Sequence, residues 1–324
     1  MLKLVTFNIR CDYNQDGNNS FVYRKEVIRK KIQETKPDVI CFQEVLPHVA
    51  QWLKEELTEY YVAGCGRSAV LDNEQMTVAF RKDRLNLIAM DTFWLSETCY
   101  EPGSRYEEQS ECPRVCTEMV LEDMEVHKAF RLVNVHLDHL GAKARILGLK
   151  QIIEKMEKEK FLPRIPIILA GDFNGEPDSE EIRQMERYPD YVNATEGIGI
   201  TFHGFAGLEA PQIIDYIYIR NTEESTLKSM HIEKWEDQKN GVWLSDHYPI
   251  CVSLEWECHR TILNTHLEGD FLLSCLSSPA APGYLMCALQ GPLPPDSPYH
   301  VPNAPRTLCP SLSCTDPTCA PTLG

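Results

Sequence analysis

The chain has 324 residues and a formal charge of −16, longer than a single hydrophobic core needs, since such cores stop growing near roughly 250 to 300 residues. That acidity excludes a protein that grips duplex DNA non-specifically, because such proteins carry a basic footprint for the phosphates. A local basic site is still allowed, since net charge averages over the whole surface.

In chain order, Leu2 to Ile9 reads as a first strand and Arg24 to Glu34 as a helix that must end before Pro37. Val39 to Phe42 is a short buried strand, and Val49 to Tyr60 reads as helical. Met76 to Phe80, Leu85 to Leu95, Val115 to Leu121 and Ala129 to Leu137 are rich in β-branched and apolar residues, the mark of strands. A long amphipathic helix follows from Ala142 to Lys160, stopped by Pro163 and Pro166, and Ile165 to Ala170 is another buried strand. Ile213 to Ile219 and Pro249 to Trp256 complete the set. Strands and helices mixed without strict βαβ repetition predict an α/β protein whose sheets are not purely parallel.

The composition changes near Glu257. Residues 258–324 hold 11 of the 21 prolines and 6 of the 13 cysteines, with little periodicity, and are expected to form a disordered tail behind a catalytic domain of residues 1–257. Cys309, Cys314 and Cys319 lack the paired C-x-x-C unit of a metal site. The tail carries Arg260 and Arg306 against Glu268, Asp270, Asp296 and Asp316, so the first 257 residues hold −14 of the charge. Their seven cysteines are scattered, which fits reduced thiols in an intracellular, cytoplasmic protein. No secretory signal is read at Met1-Leu-Lys3, and no run approaches the roughly 20 apolar residues of a membrane span.

Polar groups stand at the ends of apolar strands: Asn8, Gln43-Glu44, His136, Asp172 and Asp215, with Ser245-Asp246-His247 just before the last strand. Singly, each has a plain explanation, since Asp and Asn commonly end strands in turns. Together they supply hard oxygen ligands for Mg²⁺ or Mn²⁺ in Glu44, Asp246 and Asn8, and groups that move protons near neutral pH in His136 and His247. Metal-assisted hydrolysis of a phosphate ester asks for that mixture.

Thr6-Phe-Asn8-Ile-Arg10, Gln43-Glu44, Asn134-Val-His136-Leu, Gly171-Asp172-Phe-Asn174, Ile214-Asp215-Tyr-Ile and Ser245-Asp246-His247-Tyr-Pro resemble, in this order, the motifs of the endonuclease/exonuclease/phosphatase superfamily, the deoxyribonuclease-I-like proteins. The resemblance implies a four-layer α/β/β/α sandwich with two facing mixed β-sheets and an active site at one edge. It also implies that Glu44 is the principal metal ligand, with Asn8 and Asp246 close to the metal. Asp172 and Asn174 would position or deprotonate the attacking water, His247 oriented by Asp215 would be the other candidate base or a stabiliser of the transition state, and His136 would bind the phosphate.

Several superfamily nucleases carry an acidic residue two positions after the first-strand asparagine, where this chain has Arg10. A second metal ligand is lost there, and Arg10, like Arg114 or Arg145, is a candidate clamp for a substrate phosphate; a solvated helix-surface arginine is the plain alternative for Arg145. Asp138 is a candidate for substrate contact, His139 beside it is left unassigned, and Phe202 or Phe205 is a candidate platform for a base or sugar, although loop aromatics often pack locally. Asn264-Thr-His266 repeats the look of Asn134-Val-His136 without an apolar strand before it and reads as a decoy.

The favoured substrate is a nucleotide or single-stranded nucleic acid cleaved at a phosphodiester, as by a 3′-to-5′ exonuclease. A phosphomonoesterase or a sphingomyelinase-type phospholipase is the enzymatic alternative, and an inactive binding module the alternative of another class. The sequence is silent on oligomeric state. If the boundary is right, a chain ending at Glu257 keeps the melting temperature and activity of the full chain; loss of folding would show that residues 258–324 belong to the domain.

Overall fold

Strands that are apolar on both faces must be covered on both faces, and here two stacked sheets cover one another on the inside and helices cover them on the outside. A computed structural model describes residues 1–257. The tail, its cysteines and His266 lie outside the described residues. The elements are β1 (Leu2–Asn8), α1 (Phe21–Thr35), β2 (Val39–Val45), α2 (Pro47–Glu56), β3 (Tyr60–Ala63), β4 (Gln75–Arg81), β5 (Leu85–Trp94), β6 (Val115–Asp123), β7 (Lys128–His136), α3 (Ala142–Lys158), β8 (Ile167–Asp172), α4 (Glu180–Arg183), β9 (Tyr191–Asn193), β10 (Asp215–Arg220), β11 (Leu227–Lys234), β12 (Gln238–Lys239), β13 (Val242–Trp243) and β14 (Ile250–Trp256).

One sheet runs β11-β14-β1-β2-β4-β3 and the other β5-β6-β7-β8-β10-β9, each with one parallel pair, β1/β2 and β7/β8, among antiparallel ones. Between them lies a core that includes Leu2, Leu4, Val39, Cys41, Met119, Leu121, Phe130, Leu132, Ile168, Ala170 and Val252. The outer face of the first sheet packs with Ile28 and Ile32 of α1 and Val49 and Leu53 of α2. That of the second packs with Leu149, Ile152, Ile153 and Met156 of α3. The expected four-layer sandwich is the observed architecture. Among the described residues no helix is long and apolar enough to cross a membrane.

Helix ends follow local chemistry. α1 stops where Lys36 turns left-handed at φ 45° and its N–H donates to the Ile32 carbonyl, just before Pro37. α2 begins with Pro47 at its first position and ends at Glu56, not at Tyr60 as the periodicity suggests. Tyr60 instead opens β3, pairing with Arg81, while its hydroxyl donates to the Pro37 carbonyl at 2.7 Å. β11 also escapes the sequence pattern, because as an edge strand it buries little besides Leu227 and shows no alternation.

Gly171 marks the tightest backbone approach in the second sheet. Its φ is +152°, and a Cβ there would lie 1.9 Å from the Val135 carbonyl oxygen on β7. Only glycine lets β8 lie this close to β7. Gly171→Ala is expected to lower unfolding stability by roughly 1–3 kcal/mol or more, as overpacked sites do; an unchanged urea midpoint would contradict the reading.

Candidate active site

Strand register brings the motif residues together. In the parallel pairs Asn8 lies opposite Gln43 and His136 opposite Asp172, while antiparallel β10 sets Asp215 opposite Asp172. The segment before β14 is drawn to the same edge because Phe202 bridges both Gln212 and His247. Asn8, Glu44 and Asp246 come from the first sheet and its loops; His136, Asp172 and Asp215 come from the second. Asn8 joins the halves, its Nδ2 donating to Glu44 Oε1 at 2.9 Å and to Asp172 Oδ2 at 3.0 Å.

The result is a cleft of about 360 Å³ whose lining includes Glu44, His136, Asp172, Asn174, Asp246 and His247. Glu44 (φ +62°), Arg10 (φ +63°) and Asn174 (φ +49°) are all left-handed, a conformation that costs non-glycine residues energy and clusters at functional sites. Arg24 fixes the exit of β1 from below. This fully buried side chain of α1 donates to the carbonyls of Ile9 (2.6 Å), Arg10 (3.2 Å), Asn19 (2.6 Å) and Leu244 (3.0 Å).

His247 donates through Nδ1 to Asp215 Oδ2 at 2.8 Å, and its Nε2 lies 3.7 Å from Asp172 Oδ2. Burial opposes charge on His247, but Asp215, Asp172 and Asp246 outweigh it and raise its pKa to about 10. His247 is therefore an imidazolium at neutral pH, with both ring nitrogens as donors. Burial, then the neighbouring charge of Asp215, pushes the Asp172 carboxyl up to about 7, against the pull of His247, Asn8 and the Asn174 N–H. His136, 3.5 Å from Asp172 through Nε2, is driven well below its ordinary pKa by burial and then by Arg114, and is neutral.

Burial also disfavours the Glu44 charge. A positive His136 would oppose that, but with His136 neutral it is the Asn8 amide, the Cys11 N–H, donating at 2.8 Å, and the positive charge of His247 that hold Glu44 below the ordinary carboxylate range. Asp246 is pushed up by burial and by the charge on Glu44, while His247 and Arg10 pull it down.

Two oxygen-donor carboxylates that repel one another at a cleft fit a hard divalent cation, which would relieve the repulsion. Glu44 and Asp246 are the residues that fit, with Asn8 beside them. Among the described residues, the acids and histidine whose ligand atoms lie within 4.8 Å of one another are Asp172, Asp215 and His247. That cluster is already satisfied by the His247–Asp215 hydrogen bond and reads as proton-handling machinery.

Arg10, Arg114 and Phe202 line the cleft, but two of them are partly engaged. Arg10 pairs with Asp16 at 3.2 Å and Asp246 at 3.4 Å, and the Phe202 ring lies 4.6 Å from that of His247. Arg145 and Asp138 do not line the cleft. Arg145 donates to Glu181 at 2.6 Å and to the Asp138 carbonyl at 2.9 Å, and Asp138 accepts the N–H groups of Leu140 and Gly141. Both are engaged with neighbouring groups outside the cleft lining. Sequence reasoning missed Arg67, Glu74, Cys112 and Gln212, and left His139 unassigned, yet all line the cleft. They come from loops without periodicity; only the adjacency of His139 to the His136 motif was a signal.

The family model described as Endonuclease/Exonuclease/phosphatase family matches residues 5–247. Among solved structures, an endonuclease/exonuclease/phosphatase from Bacteroides vulgatus is 31% identical with a TM-score of 0.72, the match covering 79% of this chain and 99% of that one. A mannosyl-6-phosphatase from Bacteroides thetaiotaomicron is 24% identical with a TM-score of 0.69, covering 79% and 100%. The human Nocturnin catalytic domain with bound sulfate anion is 19% identical with a TM-score of 0.61, covering 79% and 93%. The last two likenesses show the fold alone. No curated protein sequence matches the chain.

The raised pKa of Asp172 has a sign that can be tested. Its protonated form is favoured in the folded state, so its contribution to stability is full below the ordinary carboxylate pKa of about 4 and is lost as pH rises through about 7. Asp172→Asn cannot titrate. In chelator, the stability difference between variant and parent is expected to move in the variant's favour from about pH 5 to about pH 8; a difference independent of pH would refute the burial argument.

Proposed function

The chain belongs to the endonuclease/exonuclease/phosphatase family, a family of phosphoester hydrolases, and we propose that it is a divalent-metal-dependent hydrolase acting on a small phosphate monoester. The observation that carries the reading is the meeting of Glu44 and Asp246 with Asp172, His247 and His136 around one cleft of about 360 Å³.

Glu44 and Asp246, with Asn8 beside them, would hold a divalent ion, Mg²⁺ or Mn²⁺, which would supply positive charge for the phosphoryl oxygens. The protein's own groups do the rest. Asp172, with a pKa near 7, is matched to take the proton of the attacking water at neutral pH. As that water's oxygen bonds to phosphorus, the bond from phosphorus to the leaving oxygen breaks, and that oxygen takes a proton from solvent to leave as the alcohol, balancing the one Asp172 removed. His247, held protonated by Asp215, donates to a phosphoryl oxygen as negative charge develops there. Neutral His136 offers a further donor, because its Nδ1 has no hydrogen-bond partner among the described residues and can leave the proton on Nε2. Asn174 holds Asp172 in place, its N–H donating to Oδ1 at 2.9 Å.

The single-stranded nucleic acid reading finds less support. A strand is held by a basic track with aromatic platforms, whereas Arg10 and Arg67 are paired with Asp16 and Glu74, and Phe202 packs on His247. The likeness to a mannosyl-6-phosphatase adds sugar phosphates as the first compounds to try. The boundary at Glu257 belongs to the same proposal, with catalysis assigned to residues 1–257.

Phosphate release from mannose 6-phosphate and p-nitrophenyl phosphate is expected with Mg²⁺ or Mn²⁺ and not in chelator. Asp172→Asn and Glu44→Gln should each lower kcat/KM by roughly 10²–10⁴-fold. Turnover that survives both substitutions would sink the catalytic reading, and faster cleavage of single-stranded RNA or bis-p-nitrophenyl phosphate would return the choice to a diesterase.

A further inference from the structure

One cationic group in the cleft is left unsatisfied. Arg114, at the entry to β6, is 4% exposed, yet its Nε and Nη1 have no hydrogen-bond partner among the described residues. A buried unpaired donor costs about 1–3 kcal/mol, more when it is charged. Native proteins seldom leave such a group unless something binds it. The nearest compensation is Asp138 Oδ2, 3.6 Å from Nε, an ion pair too long to be a hydrogen bond.

The neighbours of Arg114 make the need sharper. Arg67 lies close enough for its charge to act on Arg114, and Arg67 spends both terminal nitrogens on Glu74, at 2.7 and 2.8 Å. Arg114 Nη2 lies 2.9 Å from His139 Nδ1. A guanidinium only donates, so Nδ1 must accept and the His139 proton sits on Nε2. Burial, then Arg114, keeps His139 in that neutral form. All three side chains line the cleft. With Arg67 spent on Glu74, what is still offered to a ligand is the free Nε and Nη1 of Arg114 and the Nε2–H of His139, N–H donors beside a guanidinium charge, which suits an oxyanion and nothing basic.

This recess adjoins the reacting centre, since Arg114 lines the same cleft and its charge acts on His136, but it is not bonded to the centre's acids or to His247. Arg114 makes no ion pair or hydrogen bond with Glu44, Asp172, Asp215, Asp246 or His247. The charges that act on it most strongly are those of Arg67, Asp138 and Glu74.

We propose that Arg114, with His139 and Arg67 beside it, is a specificity subsite that seats a second oxyanion of the substrate, a phosphate or carboxylate that is not cleaved. The preferred substrate is then a phosphate ester with another anionic group on its leaving portion. The inference rests on the proposed phosphoester hydrolysis for its role, but anion binding itself can be read without turnover.

Two arms separate the possibilities. In the first, metal-free protein is titrated with sulfate by calorimetry. The parent is expected to bind it, and Arg114→Gln to bind about tenfold or more weakly, the worth of charged hydrogen bonds. Arg114→Lys keeps the charge opposite Asp138 but loses the two-nitrogen fork, and is also expected to bind more weakly. It carries the test if the glutamine variant fails to melt cooperatively. In the second arm, KM and kcat are compared for fructose 1,6-bisphosphate and p-nitrophenyl phosphate, with and without the substitution. The increase in KM is expected to be about tenfold or more larger for the bisphosphate, and a phosphorylated sugar acid tests whether a carboxylate serves as well as a phosphate. Equal sulfate binding by parent and variants, or equal losses on both esters, would overturn the proposal, the second outcome assigning Arg114 to the reacting phosphoryl group. Failure of the parent to turn over any ester would instead count against the hydrolase reading and leave the sulfate result standing.

Discussion

The site depends on how the two sheets are pinned at one end, and Asn134 is the pin. Its Oδ1 accepts from Gln43 Nε2 at 2.8 Å, and its Nδ2 donates to the carbonyls of Phe42 and Thr77 at 2.9 and 3.1 Å, all on the opposite sheet. Side chains alternate along a strand, so Asn134 shares a face of β7 with Phe130, Leu132 and His136. The inward face of that strand passes from apolar core to amide to histidine. β1 does the same through Leu2, Leu4, Thr6 and Asn8, and β8 through Ile168, Ala170 and Asp172. The hydrophobic layer supplies the attraction between the sheets. The amide layer fixes their relative position, since buried donors and acceptors lose much of their worth if they slip. The charged layer inherits that precision.

That gradient explains what the sequence could reveal. A polar residue at the end of an apolar run is visible in one dimension, and the order of several such runs carried the family resemblance, the fold and the central residues Asn8, Glu44, His136, Asp172, Asp215 and His247. The strands that were missed, β3, β9, β11, β12 and β13, are short or mostly exposed, so they lack the alternation that betrays a buried face. The cleft wall was less legible still. Arg67 and Glu74 meet through a loop, Arg114 enters from the end of another, and Arg145 turns away to Glu181. Those placements are set by tertiary packing, for which a single arginine gives no local sign.

The electrostatic plan is one of opposed demands in a small volume. Glu44 is held charged by backbone and amide donors and by positive His247, burial and then Glu44 press Asp246 toward its neutral form, and burial and then Asp215 do the same to Asp172, while His247 gains charge from the carboxylates around it. Acids and bases of similar intrinsic strength thereby acquire different proton occupancies at one pH, which lets one cleft both remove and donate hydrogen bonds and protons.

The pairing of β1 with β14, Leu2 opposite Leu254, places the first strand in the middle of its sheet, between the last strand and β2. Contacts between residues so far apart in sequence form slowly, because a long loop must close before they are rewarded. During synthesis from the N-terminus, β1 would therefore stand with one edge open until residues 250–256 had left the ribosome. A nascent chain ending just after His247 would possess every acid, base and metal ligand named here, yet it would lack the strand that seals β1 and anchors His247. Such a chain would be chemically complete and structurally inert.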